Sequence, residues 1–372
     1  IQNEISRIRC FLNRMEKSLD KQYYFSDEIY DKELDRIFYS DWVCCGREED
    51  IHSAGEYKIF TIGNENLFII RDKDNEIRVF HNFCKHRGCQ ILKDEQSSPL
   101  KRNIRCPYHS WVYNFDGSLY KAPHLDVDIK DKRFHLNGVK TKTWGGFIFI
   151  NLDNNPSSFE EYVKELSAQF IRYPLDELVS SKSYQYEVSA NWKVIVENYN
   201  ECYHCAGVHP ELVSIVPAFK ENGGNDLDWN EGIPHKTGAN TFTFTGTTNR
   251  EPFPGLNQSE KDNHFGQALY PNLMMSLSMD HVAAFILKPL SPTQTIIDCR
   301  ILFHPDEVVK SEFNPDDASE FWDLVNQQDW DICERVQKGM QSNTFKHGYY
   351  SPMEDENLDI RIYIQQRLDI KL

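Results

Sequence analysis

The chain has 372 residues, with 41 Lys and Arg, 57 Asp and Glu, 13 His and 10 Cys, and a formal charge of −16. This length predicts two or three domains, and the acidic balance argues against nucleic-acid binding because a phosphate backbone would be repelled. No apolar run reaches membrane-spanning length and the first residues lack the apolar core of a signal peptide, so we expect a cytoplasmic protein. Ten cysteines in such a protein indicate metal binding or buried thiols rather than a disulfide framework.

Two periods of hydrophobicity alternate along the chain. A three- to four-residue period predicts a helix over 26–43 after a cap at Ser26, and short β-rich runs then predict an antiparallel β domain. A turn-rich segment at 151–158 marks a boundary. Beyond it we predict long loops over 218–265, strands between 273 and 303, and helices over 158–172, 191–204, 315–340 and 354–369. The expected chain is α+β in three parts: a helical segment 1–43 that packs on the last part, a β domain 44–152, and an α+β domain 153–372.

The first set of metal-binding residue types lies in two short segments of the β domain. HNFCKHRGCQ contains Cys84-x-His86, and CPYHSW contains Cys106-x-x-His109. Two Cys/His pairs on hairpin loops can close around one metal centre. The set suits a tetrahedral structural zinc, and it equally suits a [2Fe–2S] cluster with cysteines on one iron and histidines on the other.

The flanks of this set favour the cluster. The order Cys-x-His followed by Cys-x-x-His is that of Rieske proteins, and Arg87-Gly88, Pro107-Tyr108 and Trp111 agree with it. Imidazole ligands in place of two thiolates raise the reduction potential, so such a cluster can accept electrons from a reductase. Cys89 lies outside the pattern, and we interpret it as a packed thiol.

The second set lies in NWKVIVENYNECYHCAGVH, residues 191–209. Glu201 and His204 are three residues apart, so a helix would place them on one face. His204 and His209 are five apart, about 140° around a helix, so both can face one ion only if the helix breaks near Ala206-Gly207. Two histidines need a carboxylate from elsewhere to complete the facial triad of a mononuclear non-haem iron site. Taken alone, the same pattern also suits two ordinary histidines near a helix end.

Together the two sets resemble the oxygenase (α) subunit of Rieske non-haem iron oxygenases over nearly the whole chain. The motif that carries the resemblance is NWK…EN…E-x-x-H-x-x-x-x-H. The resemblance implies an antiparallel Rieske β domain followed by a helix-grip-like α+β catalytic domain. It also implies two cofactors, a [2Fe–2S] Rieske cluster on Cys84, His86, Cys106 and His109, and a mononuclear Fe(II).

The resemblance further implies His204 and His209 as ligands of the mononuclear iron, with an Asp from a C-terminal helix. In the family this Asp precedes a Gln by eight residues. Asp329 stands eight residues before Gln337, and we choose it, with Asp331 as the runner-up. Asn198, in the same motif, is a further candidate catalytic residue.

Glu201 occupies a position that is usually Asp in the family. There the carboxylate links the first iron-binding histidine to a cluster-ligating histidine, His86 or His109, of the neighbouring subunit of a homotrimer. Glu at this position resembles the subgroup that acts on quaternary ammonium compounds, and the flank ECYHCAGVHPEL agrees. A carboxylate at this spacing can accept the other N–H of His204. The alternative interpretation is a solvated helix charge.

The predicted function is therefore the terminal oxygenase of a monooxygenase. It would use O₂ and electrons from NAD(P)H, delivered by a separate flavin and iron–sulfur reductase, to hydroxylate or N-demethylate a compound such as glycine betaine, carnitine or choline. Formaldehyde would be released on demethylation. Two alternatives remain, an aromatic-ring dioxygenase α subunit with the same ligands and a non-enzymatic binding protein stapled by zinc. A ferredoxin would leave the second half of the chain unexplained. The substrate pocket is not readable from the sequence.

Overall fold

A computed structural model of the chain describes residues 15–93, 99–225 and 227–370. The described chain divides into two compact units. The β unit is Phe38–Lys164, and the mixed unit takes in the described residues up to Ile37 and those from Glu165 onward. The boundaries predicted from the sequence, at 43/44 and 152/153, stay predictions. Among the described helices, none has the length and apolar character that crossing a membrane requires.

Strands and helices are numbered here in chain order within the described residues. The strands are β1 Glu16–Asp20, β2 Val43–Arg47, β3 Tyr57–Ile62, β4 Glu65–Arg71, β5 Ile77–His81, β6 Ile104–Arg105, β7 Val112–Tyr113, β8 Leu119–Lys121, β9 Lys140–Trp144, β10 Phe147–Asn151, β11 Val179–Val188, β12 Ile233–Pro234, β13 Asn263–Leu269, β14 Leu273–Leu277, β15 His281–Ser291, β16 Gln294–Phe303 and β17 His347–Tyr350. The α-helices are α1 Asp27–Glu33, α2 Phe159–Tyr162, α3 Lys164–Gln169, α4 Trp192–Tyr199, α5 Cys205–Val208, α6 Pro210–Ile215, α7 Gln258–Asp262, α8 Pro305–Val308, α9 Asp316–Met340 and α10 Asn357–Leu368.

The β unit contains three small sheets, ordered β2-β10-β9, β3-β4-β5 and β6-β7-β8. All their strand pairs are antiparallel. One apolar core joins the second and third sheets, and it holds Phe68 and Phe80 from the second with Ile104 and Tyr113 from the third. Cys84 and Cys106 lie in that same core, so the loops that carry them start from fixed positions.

The mixed unit is built on a six-stranded antiparallel sheet ordered β11-β16-β15-β14-β13-β12, and β1 pairs with β17 separately. The central strands β14 and β15 are buried over most of their length. Helix α9 contacts both β11 and α4, and α4 also contacts β15. These two helices therefore lie against the sheet and against each other.

Helix α4 is held by a buried ion pair at its start. Lys193 Nζ lies 2.6 Å from Glu33 Oε1, and both side chains are at most 1% exposed. The indole of Trp192 donates to the other oxygen of Glu33 at 2.9 Å. Burial lowers the pKa of Lys193, and Glu33 opposes that effect. The pair joins α1 to α4 inside the mixed unit.

Most predicted elements are confirmed. Ser26 caps α1 by accepting a hydrogen bond from the Ile29 amide, and α9, α10 and the strands between 273 and 303 lie where the periodicity placed them. The helix predicted over 26–43 is too long, because the chain leaves the helix after Phe38 and enters β2 at Val43. The helix predicted over 158–172 consists of the short helices α2 and α3. The loops predicted over 218–265 are confirmed apart from short elements, including β12 and α7.

Candidate functional site

The two cysteine loops of the β unit close with the same hydrogen-bond pattern. The Cys84 amide donates to the carbonyl of Cys89, five residues on, and the Cys106 amide donates to Trp111, also five residues on, both at 2.8 Å. Each cysteine carbonyl accepts from the amide four residues on, which belongs to Gly88 or Ser110. Those two residues have φ of 70° and 61°, a left-handed conformation for which glycine is the usual choice. The loops are thus two copies of one turn.

These turns separate the two ligand types by depth. Cys84 and Cys106 are buried, whereas His86 and His109 are exposed. The imidazole centroids are 4.7 Å apart, and the ring of His86 stacks on Trp111 at 5.2 Å. Two buried thiols and two exposed imidazoles fit a [2Fe–2S] cluster with a thiolate-bound inner iron and an imidazole-bound outer iron.

Tyr113 supports the thiol side of this site. Its hydroxyl oxygen lies 3.2 Å from Cys84 Sγ and accepts a hydrogen bond from the Lys85 amide at 3.1 Å. The hydroxyl proton is therefore free to point at the sulfur, and burial together with Cys84 raises the pKa of Tyr113. Hydrogen bonds to ligand sulfurs tune cluster potentials. The sequence interpretation missed Tyr113, which stands in the short strand β7.

The second site lies in the mixed unit and draws on two chain segments. His204 immediately precedes α5, His209 stands between α5 and α6, and Asp329 lies on α9. Their ligand atoms fall within 4.8 Å of one another. Asp329 Oδ1 is 2.8 Å from His209 Nε2 and 3.3 Å from His204 Nε2, and the two Nε2 atoms are 3.1 Å apart.

This spacing fits one face of a metal polyhedron. Ligand atoms at bond lengths of about 2.1 Å lie about 3 Å apart when they occupy neighbouring corners of an octahedron. Burial opposes charge on all three groups, yet hydrogen bonds to Asp329 raise the pKa of His204 and His209, and the two histidines lower the pKa of Asp329 to about 2. Two imidazoles and an ionised carboxylate are the donor set of mononuclear non-haem iron.

Glu201 contacts His204 through a turn, and the prediction of a shared helical face is wrong. Helix α4 ends at Tyr199, and the His204 amide donates to Glu201 Oε2 at 3.1 Å. That side chain takes the place of the carbonyl that would continue the helix. Glu201 Oε1 lies 2.6 Å from His204 Nδ1. The predicted break near Ala206-Gly207 is also wrong, because residues 205–208 form helix α5. The backbone between the two histidines leaves helical geometry at His209, with φ of −120° and ψ of 70°.

Gln328 orients the imidazole of His209 in the same way that Glu201 orients that of His204. Its Oε1 lies 2.7 Å from His209 Nδ1, and its Nε2 donates to Glu211 at 3.2 Å. An acceptor on the far ring nitrogen orients a metal-binding imidazole. Sequence reasoning missed Gln328 and Glu211. Gln328 directly precedes Asp329 and Glu211 directly follows His209-Pro210, and this adjacency is the feature of the sequence that could have indicated them.

The remaining candidates differ in position. Asp331, the runner-up ligand, is exposed and pairs with Arg335 at 2.7 Å, away from the histidines. Asn198 Nδ2 lies 3.5 Å from His204 Nε2. Cys205 Sγ is 4.0 Å from the same nitrogen, which agrees with a thiol beside the site rather than in it. Cys89 is half-buried.

The two sites and their folds define an oxidoreductase with two iron centres. The Rieske [2Fe-2S] domain family matches residues 41–140, and the catalytic domain of the ring-hydroxylating alpha subunit family matches residues 175–369, over half of the chain. The chain belongs to this family of Rieske non-haem iron oxygenases. The fold class, the cluster and the mononuclear iron expected from the sequence are thereby confirmed, and the zinc-stapled binding protein is excluded.

Curated relatives span most of the chain. The oxygenase subunit of glycine betaine monooxygenase from Pseudomonas aeruginosa is 27% identical, and the match covers 90% of this chain and 85% of the relative. The oxygenase subunit of carnitine monooxygenase from Acinetobacter pittii is 29% identical over 88% of this chain and 86% of the relative. The solved structure of a quaternary ammonium Rieske monooxygenase, described with carnitine oxidation and inter-subunit electron transfer, aligns with a TM-score of 0.76 and 25% identity over 95% of this chain and 96% of its own.

Proposed function

We propose that this chain is the terminal oxygenase of a monooxygenase that hydroxylates a quaternary ammonium compound at a carbon next to the charged nitrogen. Glycine betaine, carnitine and choline-like compounds are the substrate class. The observation that carries the proposal is the contact of Glu201 with His204 beside the His204–His209–Asp329 triad. It joins an oxygenase ligand set to a glutamate at the position where the sequence resembles the quaternary ammonium subgroup.

The proposed ligand assignment follows from the geometry of the two sites. His204, His209 and Asp329 would hold the mononuclear iron, and Cys84, His86, Cys106 and His109 would hold the cluster. When bound, the iron supplies O₂ activation and the cluster supplies electrons one at a time. Glu201 and Gln328 hold the two imidazoles with their Nε2 atoms turned to one point. Three protein ligands on one face leave room for O₂ and substrate.

The relatives support the substrate class. The curated relatives bear the names of glycine betaine, carnitine and choline monooxygenases. All three substrates carry a quaternary ammonium group.

If the hydroxylated carbon is an N-methyl group, the product collapses without further help from the protein. Hydroxylation places an O–H on a carbon bonded to the positively charged nitrogen. Loss of the hydroxyl proton forms a carbonyl while the C–N bond breaks with its electron pair going to nitrogen. Formaldehyde and an amine with one methyl group fewer are the products.

The charge distribution supports the proposed partners, a separate reductase and neighbouring subunits of a homotrimer. Residues 38–164 carry 18 Lys and Arg and 18 Asp and Glu, so their formal charge is zero. The other residues carry 23 Lys and Arg and 39 Asp and Glu, and the whole formal charge of −16 lies on them. Within residues 84–111, which expose His86 and His109, six positions are Lys or Arg and two are Asp or Glu. A basic surface around the cluster favours acidic partner surfaces. In this proposal Glu201 connects His204 to a cluster histidine of a neighbouring subunit.

Turnover with a competent NAD(P)H-dependent reductase tests the proposal. Purified holoenzyme is given glycine betaine, carnitine, choline or naphthalene, and NAD(P)H oxidation, formaldehyde and the product masses are measured. We expect one methylammonium compound to couple NAD(P)H oxidation to a hydroxylated or demethylated product, whereas Asp329→Asn gives none. Dihydroxylation of naphthalene with no methylammonium turnover would replace the proposal with the aromatic-ring dioxygenase.

A further inference from the structure

Two thiols flank His204 and contact each other. Cys202 and Cys205 are both buried, and their side chains lie within hydrogen-bonding contact. The Cys205 amide donates to the Cys202 carbonyl at 3.1 Å, so one tight turn holds both residues and places His204 inside it. Cys205 Sγ is 4.0 Å from the Nε2 atom of His204.

Packing fixes Cys202 in this arrangement. A Cβ atom placed on Gly224 would lie 2.8 Å from Cys202 Cβ and 3.0 Å from its carbonyl oxygen, so the backbone of Gly224 sits directly against the residue. Gly224 has φ of 76°, and glycine provides both the conformation and the space. The backbone of Gly224 therefore holds the Cβ and the carbonyl of Cys202 in place.

The other described thiols differ from this pair. Cys84 and Cys106 are the proposed cluster ligands, and Cys89 contacts Cys106. Cys44, Cys45 and Cys333 each contact a backbone carbonyl, and Cys299 accepts from an asparagine amide. The pair at 202 and 205 thus combines thiol contact, a two-residue spacing and proximity to a centre that handles O₂.

We propose that Cys202 and Cys205 are a peroxide-oxidisable dithiol, and that their disulfide loosens the mononuclear iron site. One thiol, after losing its proton, attacks hydrogen peroxide; the O–O bond breaks, a sulfenic acid forms and water leaves. The second thiol attacks that sulfur, an S–S bond forms and a second water leaves. The two sulfurs together lose two electrons, which the peroxide accepts.

The disulfide would act on iron binding through His204. A disulfide holds its sulfurs about 2.05 Å apart with a fixed torsion, closer than two thiols in hydrogen-bonding contact. The turn must tighten, and the imidazole between the two cysteines shifts relative to His209 and Asp329. Loss of ligand orientation costs about 10- to 100-fold in metal affinity. Disulfide formation is independent of the substrate proposed above, while its effect on iron rests on His204 being a ligand.

Mass mapping tests the disulfide directly. Reduced holoenzyme is treated with hydrogen peroxide, denatured, alkylated and digested. We expect the peptide with Cys202 and Cys205 to resist alkylation and to be lighter by two hydrogen atoms, to regain both thiols with dithiothreitol, and Cys299 and Cys333 to stay fully alkylated. Alkylation of both cysteines after peroxide, or their separate oxidation to sulfinic acids, would overturn the proposal.

Iron retention tests the consequence. Cys202→Ser is the matched variant, and Cys205→Ala repeats the test from the other side of His204. Iron in excess of acid-labile sulfide reports the mononuclear site, and acid-labile sulfide reports the cluster. We expect peroxide to lower the excess iron at least tenfold in the parent protein after passage over a chelating resin, with both variants retaining it. Equal loss in all three would refute the effect on iron, and failure to turn over any methylammonium would refute only the substrate.

Discussion

Both carboxylate oxygens of Glu201 contact His204, one at the ring and one at the backbone. Oε1 lies 2.6 Å from Nδ1, and Oε2 accepts from the amide at 3.1 Å. The same side chain therefore ends helix α4, sets the turn and directs Nε2 of His204 toward Asp329. A single residue couples the local fold to the orientation of the proposed ligand.

Glu201→Gln is expected to retain both iron centres and to lose coupled turnover. The amide keeps the shape of the side chain but removes the negative charge that faces the Nδ1–H of His204, and such outer contacts are worth about 10- to 100-fold in activity. Iron, acid-labile sulfide and product per NAD(P)H are the measurements. Glu201→Asp keeps the charge and serves as the control. Full coupled activity in Glu201→Gln would remove Glu201 from the electron path.

Asp329→Asn is expected to abolish binding of the mononuclear iron while the cluster remains. The ionised Oδ1 of Asp329 contacts both histidines, and an amide oxygen is a weaker ligand. Asp331→Asn is the matched control two residues away, because Asp331 is exposed and pairs with Arg335. Iron in excess of acid-labile sulfide should vanish in the first variant and persist in the second. The reverse pattern would make Asp331 the ligand.

Gln328→Ala is expected to weaken iron binding about tenfold through His209. The variant removes the acceptor at 2.7 Å from Nδ1, so the imidazole loses its fixed orientation. Competition with a chelator of known affinity measures the change. Gln327→Ala is the control, since Gln327 is an exposed neighbour that bonds to Asp323. Equal affinities of the two variants would contradict the role given to Gln328.

Glu33→Gln is expected to destabilise the mixed unit by about 3–5 kcal/mol, because it leaves the buried ammonium of Lys193 without its counter-charge. Urea unfolding at neutral pH measures the change in free energy of unfolding. Replacing both partners, Glu33→Gln with Lys193→Met, should recover much of the loss, since no charge is then buried. Glu28→Gln breaks the exposed pair with Lys32 and should leave stability unchanged. A small effect of Glu33→Gln would show that the pair is hydrated in solution.

Glu197 predicts a pH dependence of stability. Burial raises its pKa to about 7, although the hydroxyls of Tyr24 and Tyr350 donate to it at 2.6 and 2.7 Å. Lys193 also lowers this pKa, and Glu354 raises it. Between the ordinary carboxyl pKa and about 7 the folded state holds a proton that the unfolded state has released.

The contribution of Glu197 to stability must therefore fall as pH rises through that window, by up to about 1.4 kcal/mol per pH unit, and level off above it. Urea unfolding of the parent protein and of Glu197→Gln between pH 5 and about 8 measures the difference in free energy of unfolding. The free energy of unfolding of the parent protein should fall relative to that of Glu197→Gln as pH rises. A pH-independent difference would mean that the carboxyl of Glu197 titrates normally.

Local sequence was enough to predict most helices and strands and the residue types of the proposed ligands. Spacing identified Cys84, His86, Cys106 and His109 because each pair lies within one turn, and hydrophobic period placed α9 and the long strands because amphipathic burial imposes that period. The same rule misplaced the end of α4. A side-chain carboxylate that captures a backbone amide breaks the helix without any change in hydrophobic pattern.

Tertiary structure decided which distant groups meet. Sequence narrowed the third group to Asp329 or Asp331, and the packing of α9 against α4 puts Asp329 beside the histidines and leaves Asp331 exposed. The contacts of Gln328 with His209 and of Tyr113 with Cys84 likewise depend on helix and strand packing. Residue type and spacing show which ligands can meet within one turn of the chain. His209 and Asp329 are 120 residues apart, and they meet because packing of the core fixes the relative positions of the segments that carry them.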